Sequence, residues 1–140
     1  MTEQNKIEVG KLFFEEGLLG FQHLQFFQLL QEEEPDSPFF SLQSMEDKDV
    51  GFLVVDPFVF FKDYEFRLHD QAKETLHIKE ETPVYILNIV TARSEGQVTV
   101  NLKAPIVINK ENRMAKQIIL NDENYAIRQP LFQLKTTASE

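Results

Sequence analysis

The stretch from Gly51 to Phe66 constrains the fold more than any other part of this sequence. It opens with a short apolar run at 52–55, whose length and residue types are typical of a buried strand. Asp56 and Pro57 end that strand and start a helical turn, because aspartate caps helices and proline fits the first helical position. The alternation at 64–68 then predicts a second strand with its apolar side chains on one face.

Several other segments have the composition or alternation of strands and are separated by polar turns. We predict these strands at 7–14, 39–45, 84–90, 97–102, 106–109, 116–120 and 124–131. The segment 23–30 fits a helical and a strand period equally well, and its phenylalanines favour a strand. The best helix candidate is 71–76, with Asp70 as its N-cap.

Short strands joined by polar turns indicate an antiparallel sandwich or a barrel. The chain has 140 residues, 42% of them hydrophobic and 26% charged, which suits one globular domain. We therefore predict an all-β, mainly antiparallel fold: a single-domain, partly open β-barrel or sandwich with one or two short helical turns. The domain covers 1–134, and 135–140 form a flexible C-terminal tail.

Acidic residues are concentrated in the first part of the chain. Residues 1–92 contain seven Lys or Arg and 18 Asp or Glu, whereas 93–140 contain seven and five. Phosphate backbones repel such a chain, so direct binding to nucleic acid is not expected. The acidity either steers the protein toward a basic partner or serves solubility alone. An acidic loop with two prolines is predicted at 32–38.

The sequence shows neither a signal peptide nor a membrane helix. Residues 1–6 lack the basic and apolar regions of a secretory signal. The longest apolar run is far shorter than the roughly 20 residues that a membrane helix needs. Cysteine is absent, which rules out disulfides and fits a reducing compartment. We expect a cytoplasmic protein without membrane contact.

No group of residues has the spacing of a catalytic, cofactor-binding or metal site. The three histidines are far apart and lack the spacing of zinc ligands. Asp56, Asp63 and Glu65 are close in sequence, but a cap, a turn residue and an exposed strand residue explain them better than acid–base catalysis. Phosphate-binding loops and nucleophile elbows are missing. The sequence predicts no enzyme, no cofactor and no metal.

The chain has 13 phenylalanines and no tryptophan. Most of them must line the core of a small β domain. The turn at 58–61 contains three of them and cannot direct all its side chains inward. At least one is therefore expected near the surface, as an interaction site or as a lid over the end of a sheet.

Four blocks of this sequence, at 16–21, 51–66, 104–109 and 124–131, together resemble the FliW family of flagellar assembly factors. The blocks occur in matching order and span most of the chain. One departure is Leu19, which stands where the family has the proline of a Gly-Leu-Pro-Gly turn.

The resemblance implies a regulator that is not an enzyme. Family members bind flagellin in the cytoplasm. They also bind CsrA, a small RNA-binding protein that represses translation of flagellin mRNA, and they antagonise it. An acidic β domain is compatible with docking on a basic repressor, and an apolar patch is compatible with shielding the apolar helices of unpolymerised flagellin.

The matching blocks also supply candidate partner-binding residues, namely Phe60, Phe61, Tyr64, Asn109, Arg128 and Gln129. The three aromatic residues could present apolar area to a partner. The polar residues either satisfy backbone groups at strand ends or contact a partner, and we favour the backbone role for Asn109 and the partner role for Arg128.

Two other functions are compatible with the same residues. One is a β-barrel enzyme or small-ligand binder whose pocket is lined by phenylalanines. The other is a structural module of the flagellar machinery without a regulatory role. Recovery of CsrA and flagellin in a copurification would decide among the three.

Overall fold

The computed structural model describes residues 7–31 and 36–133, and it confirms the all-β prediction. Within these residues nine strands form one sheet. The strands are β1 (Gly10–Phe14), β2 (Phe26–Gln31), β3 (Phe39–Ser44), β4 (Gly51–Val55), β5 (Val84–Ala92), β6 (Gln97–Val100), β7 (Ile106–Asn109), β8 (Met114–Gln117) and β9 (Gln129–Gln133). The helical elements are a 3₁₀ turn at Pro57–Val59, the helix α1 at Asp70–Leu76 and a 3₁₀ turn at Ser94–Gly96.

The sheet closes into a seven-stranded barrel in the order β4-β3-β2-β1-β8-β7-β5, with β5 pairing back to β4. The prediction left a partly open barrel and a sandwich as alternatives, and the barrel is the correct one, with its strands closed. Its pairings are antiparallel except for β1 with β8, which is parallel.

Strand β5 belongs both to the barrel and to a second layer. Its first residues pair with β7, and its last residues pair with β6, which in turn pairs with β9. Val90 pairs with Leu53 of β4 on one edge and with Val100 of β6 on the other. The β6–β9 pair is therefore an arm that extends from the barrel wall.

Two apolar cores lie on opposite faces of this sheet. The barrel interior is filled by side chains such as Phe14 and Phe27, both fully buried, whose rings meet edge to face with centroids 5.3 Å apart. These phenylalanines therefore form the barrel core instead of lining a ligand cavity. The second core lies between the barrel wall, the β6–β9 arm and α1, and it includes Val107, whose neighbours along β7 point into the barrel.

The strand predicted at 64–68 does not form. The expected face is nevertheless buried, because Tyr64 and Phe66 both pack into the second core. The backbone of Glu65 is satisfied by a side chain instead of a neighbouring strand: its N–H donates to Tyr125 Oη at 3.2 Å, and its carbonyl accepts from the same hydroxyl at 3.0 Å. An extended segment without a sheet partner results.

Several boundaries also differ from the prediction. Strand β1 begins at Gly10, β6 ends at Val100 and β8 ends at Gln117, although Ile118 N–H still donates to the Pro105 carbonyl. The last predicted strand starts only at Gln129, after a turn. Asp70 is the first residue of α1 and not its N-cap. His69 occupies the N-cap position, and its side chain makes no capping hydrogen bond. The tail 135–140 and most of the acidic loop, 32–35, lie outside the described residues.

Candidate protein-binding site

The helical turn after β4 forms as predicted. Asp56 Oδ1 accepts a hydrogen bond from Phe58 N–H at 3.1 Å, and Pro57 occupies the first position. The turn exposes 42% of Phe58, 53% of Val59 and 38% of Phe60. Such exposure of three successive large apolar residues confirms that this short turn cannot bury all its side chains. We call residues 58–60 the apolar turn.

Two of the predicted site residues lie at the end of the apolar turn: Phe60 is its last residue, and Phe61 follows it. Phe61 is half-buried and packs against the second core, so it anchors the turn instead of extending its surface. Phe60, in contrast, is exposed and stacks at an angle on Phe39 with ring centroids 6.0 Å apart. The apolar area available to a partner therefore comes from residues 58–60.

Tyr64 is buried in the second core and is only 4% exposed. Its hydroxyl donates to the Leu102 carbonyl at 2.7 Å and accepts from Asn88 Nδ2 at 3.1 Å. Its ring also contacts the ring of Phe58 at 6.0 Å between centroids. Tyr64 therefore supports the apolar turn from beneath and does not itself offer surface to a partner.

Burial raises the pKa of Tyr64 to about 12, despite the hydrogen bond from Asn88. The folded protein thus holds this proton more tightly than the unfolded chain, whose tyrosines ionise near pH 10. We expect the resulting stability to be complete below pH 10 and to be lost as the pH rises toward 12. A phenolate absorbance titration should show a component near pH 12 that is missing in Tyr64→Phe. An unchanged titration in the variant would contradict this assignment.

A groove adjoins the apolar turn at the end of the barrel where β4 ends and β5 begins. Its volume is about 430 Å³. It is lined by Ile7, Asp56, Phe58, Pro83, Val84, Tyr85, Ile86 and Lys110. We call it the end groove. Phe58 and Val84 are exposed, at 42% and 37%, so both present apolar surface to the groove.

Asp56 and Lys110 are the charged residues that line the end groove. Burial raises the pKa of the Asp56 carboxyl, against the lowering effect of the hydrogen bond from Phe58 N–H. The Lys110 ammonium lies 5.6 Å from the centroid of the Tyr85 ring, a cation–π distance. The backbone N–H of Lys110 donates to the Pro83 carbonyl at 3.0 Å, which joins the two loops at this end.

A second hollow with a polar lining lies next to the end groove. It is lined by Lys79, Glu80, Glu81, Thr82 and Glu111. We call it the acidic shelf. Two of its lining residues, Thr82 and Glu111, are sequence neighbours of Pro83 and Lys110, which line the end groove.

The three polar site residues, Asn109, Arg128 and Gln129, do not line the end groove. Asn109 is 1% exposed, and its Nδ2 donates to the Leu76 carbonyl at 2.7 Å while its Oδ1 accepts from Glu111 N–H at 2.8 Å. It therefore has the backbone role that we favoured. Arg128 is exposed and Gln129 half-buried, at the start of β9 on the arm. The structure therefore places them on the β6–β9 arm and not among the groove-lining residues.

Sequence reasoning missed Val84 and Lys110 as parts of a site. Val84 is the first residue of an apolar strand, and nothing local distinguishes it from the buried residues that follow. It adjoins Lys110 only because β5 pairs with β7 in the register Val84 to Asn109. The acidic residues at 80–81, which Thr82 separates from Pro83, were the available signal that this strand begins at the surface.

Residues 7–31 and 36–133 contain neither a metal-binding cluster nor a membrane-spanning helix. In these ranges no three His, Cys, Asp or Glu residues are close enough to hold a metal ion. None of the helices in the same ranges has the length and apolar character needed to cross a membrane.

Comparisons with known proteins agree on one family. The family model for the FliW protein matches residues 1–131. The flagellar assembly factor FliW of Clostridium botulinum (strain Alaska E43 / Type E3) is 42% identical over 127 residues, which cover 90% of this chain and 89% of that protein. The protein of the same name from Bacillus subtilis (strain 168) is 41% identical over 130 residues, or 92% and 90% of the two chains.

A solved structure shows the same fold. The crystal structure of the flagellar assembly factor FliW superposes with a TM-score of 0.80 at 40% identity, over 93% of each chain. The chain belongs to the FliW family of flagellar assembly factors.

Proposed function

We propose that this protein binds flagellin in the cytoplasm and also binds and antagonises CsrA, which relieves the repression of flagellin mRNA translation. The observation that carries the proposal is the match to the FliW family over residues 1–131. The protein acts by occupying its partners and not by catalysis.

Two physical features support a role in protein binding. The apolar turn presents large side chains on the surface of a small domain, which is typical of an interaction site. The excess of carboxylates in residues 1–92 favours association with a basic protein, since opposite charges raise the rate of encounter.

Flagellin and CsrA are expected to compete for this protein. Accumulated flagellin must draw the antagonist away from CsrA if repression is to return, and linkage makes such coupling reciprocal. A standard interface takes about 800 Å² from each partner, so two footprints fit side by side and area alone does not force competition. The coupling arises instead from overlapping footprints or from a shift in one mobile loop. Purified flagellin titrated into the preformed complex with CsrA should release CsrA, as seen by size-exclusion chromatography.

Competition and the proposed function as a whole are contradicted by different results. A stable ternary complex at saturating flagellin would rule out competition but leave both partners in place. Failure of the protein to bind either partner, while its circular dichroism shows a folded β domain, would overturn the proposed function as a whole.

A further inference from the structure

We propose that the end groove is the surface that docks CsrA, and that it receives a segment in which an apolar side chain is flanked by Lys or Arg. The inference rests on the proposed function and adds to it the surface and the chemistry of the contact. It concerns the CsrA-binding step alone.

The end groove offers apolar surface in a space of limited volume. Phe58 and Val84 are both more than a third exposed and line the same groove, although they come from different elements. The half-buried Ile86 adds further apolar lining. A volume of about 430 Å³ lies in the lower part of the range for binding pockets and suits one or two large side chains better than a whole helix.

The charges select the flanking residues of the occupant. The lining of the end groove and the acidic shelf together contains four carboxylates and two lysines. The carboxylates are those of Asp56, Glu80, Glu81 and Glu111. One of these lysines, Lys110, already lies against the Tyr85 ring. A cationic side chain is therefore favoured and an anionic one is repelled.

Asp56 is the carboxylate best placed to discriminate among occupants. It lines the groove itself and is half-buried, so its charge is partly removed from water. An incoming Lys or Arg would restore favourable interactions to that charge, whereas an apolar or acidic group would not. This is why the groove suits a basic repressor.

Three variants test the charged and the apolar contacts of the end groove separately. Asp56→Asn removes the charge but keeps a side-chain oxygen that caps the helical turn, because asparagine is an equally good N-cap. Val84→Thr keeps the β-branched shape and makes the groove wall polar. Phe58→Ala removes the largest exposed ring of the groove.

Two control variants carry the same chemical changes elsewhere. Asp49 is exposed in the turn before β4, whereas Asp56 follows β4, so Asp49→Asn neutralises a carboxylate at the opposite end of the same strand. Ile119 is 55% exposed and does not line the groove, so Ile119→Thr is the control for Val84→Thr.

Binding of each variant to purified CsrA is measured by biolayer interferometry, with flagellin binding and the thermal midpoint measured in parallel. We expect Phe58→Ala and Val84→Thr to weaken CsrA binding by about tenfold or more, as central apolar contacts do. Asp56→Asn should also weaken it and should reduce the dependence of the association rate on salt. Both controls should stay within about twofold of the unmodified protein.

The outcomes distinguish this inference from the proposed function. If the unmodified protein binds CsrA and the three groove variants bind it equally well, the groove assignment is overturned and the proposed function stands. Absence of CsrA binding by the unmodified protein overturns both. If this chain forms a dimer and Val84→Thr abolishes the dimer, a second copy of the chain fills the groove. If the groove variants lose flagellin binding but keep CsrA binding, the groove binds flagellin. Either result overturns the inference. If Phe58→Ala lowers the thermal midpoint strongly, the other two variants decide.

Discussion

Replacing Gly17 with alanine is expected to lower the free energy of unfolding by about 3 kcal/mol or more. Gly17 has a φ of +68°, which alanine adopts only with strain. An added Cβ would lie 2.6 Å from both Gln22 Cα and the Phe21 carbonyl oxygen. Both atoms belong to the backbone of the loop, which the Leu18–Phe21 bridge holds closed, so no side-chain rotation relieves the clash. Urea unfolding of the variant measures the loss.

Gly20 in the same loop is the matched control. Its φ is +86°, but no atom lies within 4 Å of an added Cβ. Gly20→Ala should therefore cost only the conformational strain, about 1–2 kcal/mol. Equal losses for the two variants would show that the loop rearranges freely and that close approach at Gly17 does not restrict it.

The second large loss is expected for Asn109→Ala, which should destabilise the fold by about 2–4 kcal/mol. Asn109 is almost fully buried and joins the end of α1 to the turn after β7, through its bonds to Leu76 and Glu111. Alanine leaves the Glu111 N–H without this acceptor and weakens the cap on the Leu76 carbonyl, which retains only a longer bond from Asn112 at 3.2 Å. Thermal unfolding measures the change.

Asn124→Ala provides the comparison, because Asn124 is exposed in the loop before β9. Surface substitutions of this kind usually change stability by about 0.5 kcal/mol or less. If Asn109→Ala were as mild as Asn124→Ala but abolished partner binding, the backbone role of Asn109 would be wrong and a direct contact would replace it.

The sequence predicted elements whose signals are local. The strand predicted at 52–55 and the cap formed by Asp56 and Pro57 depend on a few adjacent residues, and the structure has both, with the strand beginning one residue earlier at Gly51. The exposure of the apolar turn followed from the shortness of the segment 58–61, whose four apolar side chains cannot all point toward one core. The role of Asn109 in hydrogen bonding to backbone groups followed from its position at the end of a strand.

The sequence could not predict which distant segments pair or hydrogen-bond with each other. Alternation at 64–68 shows which face is buried, and the second core does contain Tyr64 and Phe66. The pattern does not show that Tyr125, distant in sequence, satisfies the backbone of Glu65 in place of a neighbouring strand. The end groove was missed for the same reason, because it depends on the register between β5 and β7.

The parallel pairing of β1 with β8 has a consequence for how the chain is made. Phe13 pairs with Met114, so the barrel wall is complete only after most of the chain has been synthesised. At roughly 5–20 residues per second, the ribosome delivers β8 several seconds after β1. Strand β5 is synthesised before β8, so the edge of β4 obtains its partner first, whereas the edge of β1 lacks β8 until that point. One strand edge of the barrel therefore stays unpaired during most of translation, and closure of the barrel waits on a contact between the beginning and the end of the chain.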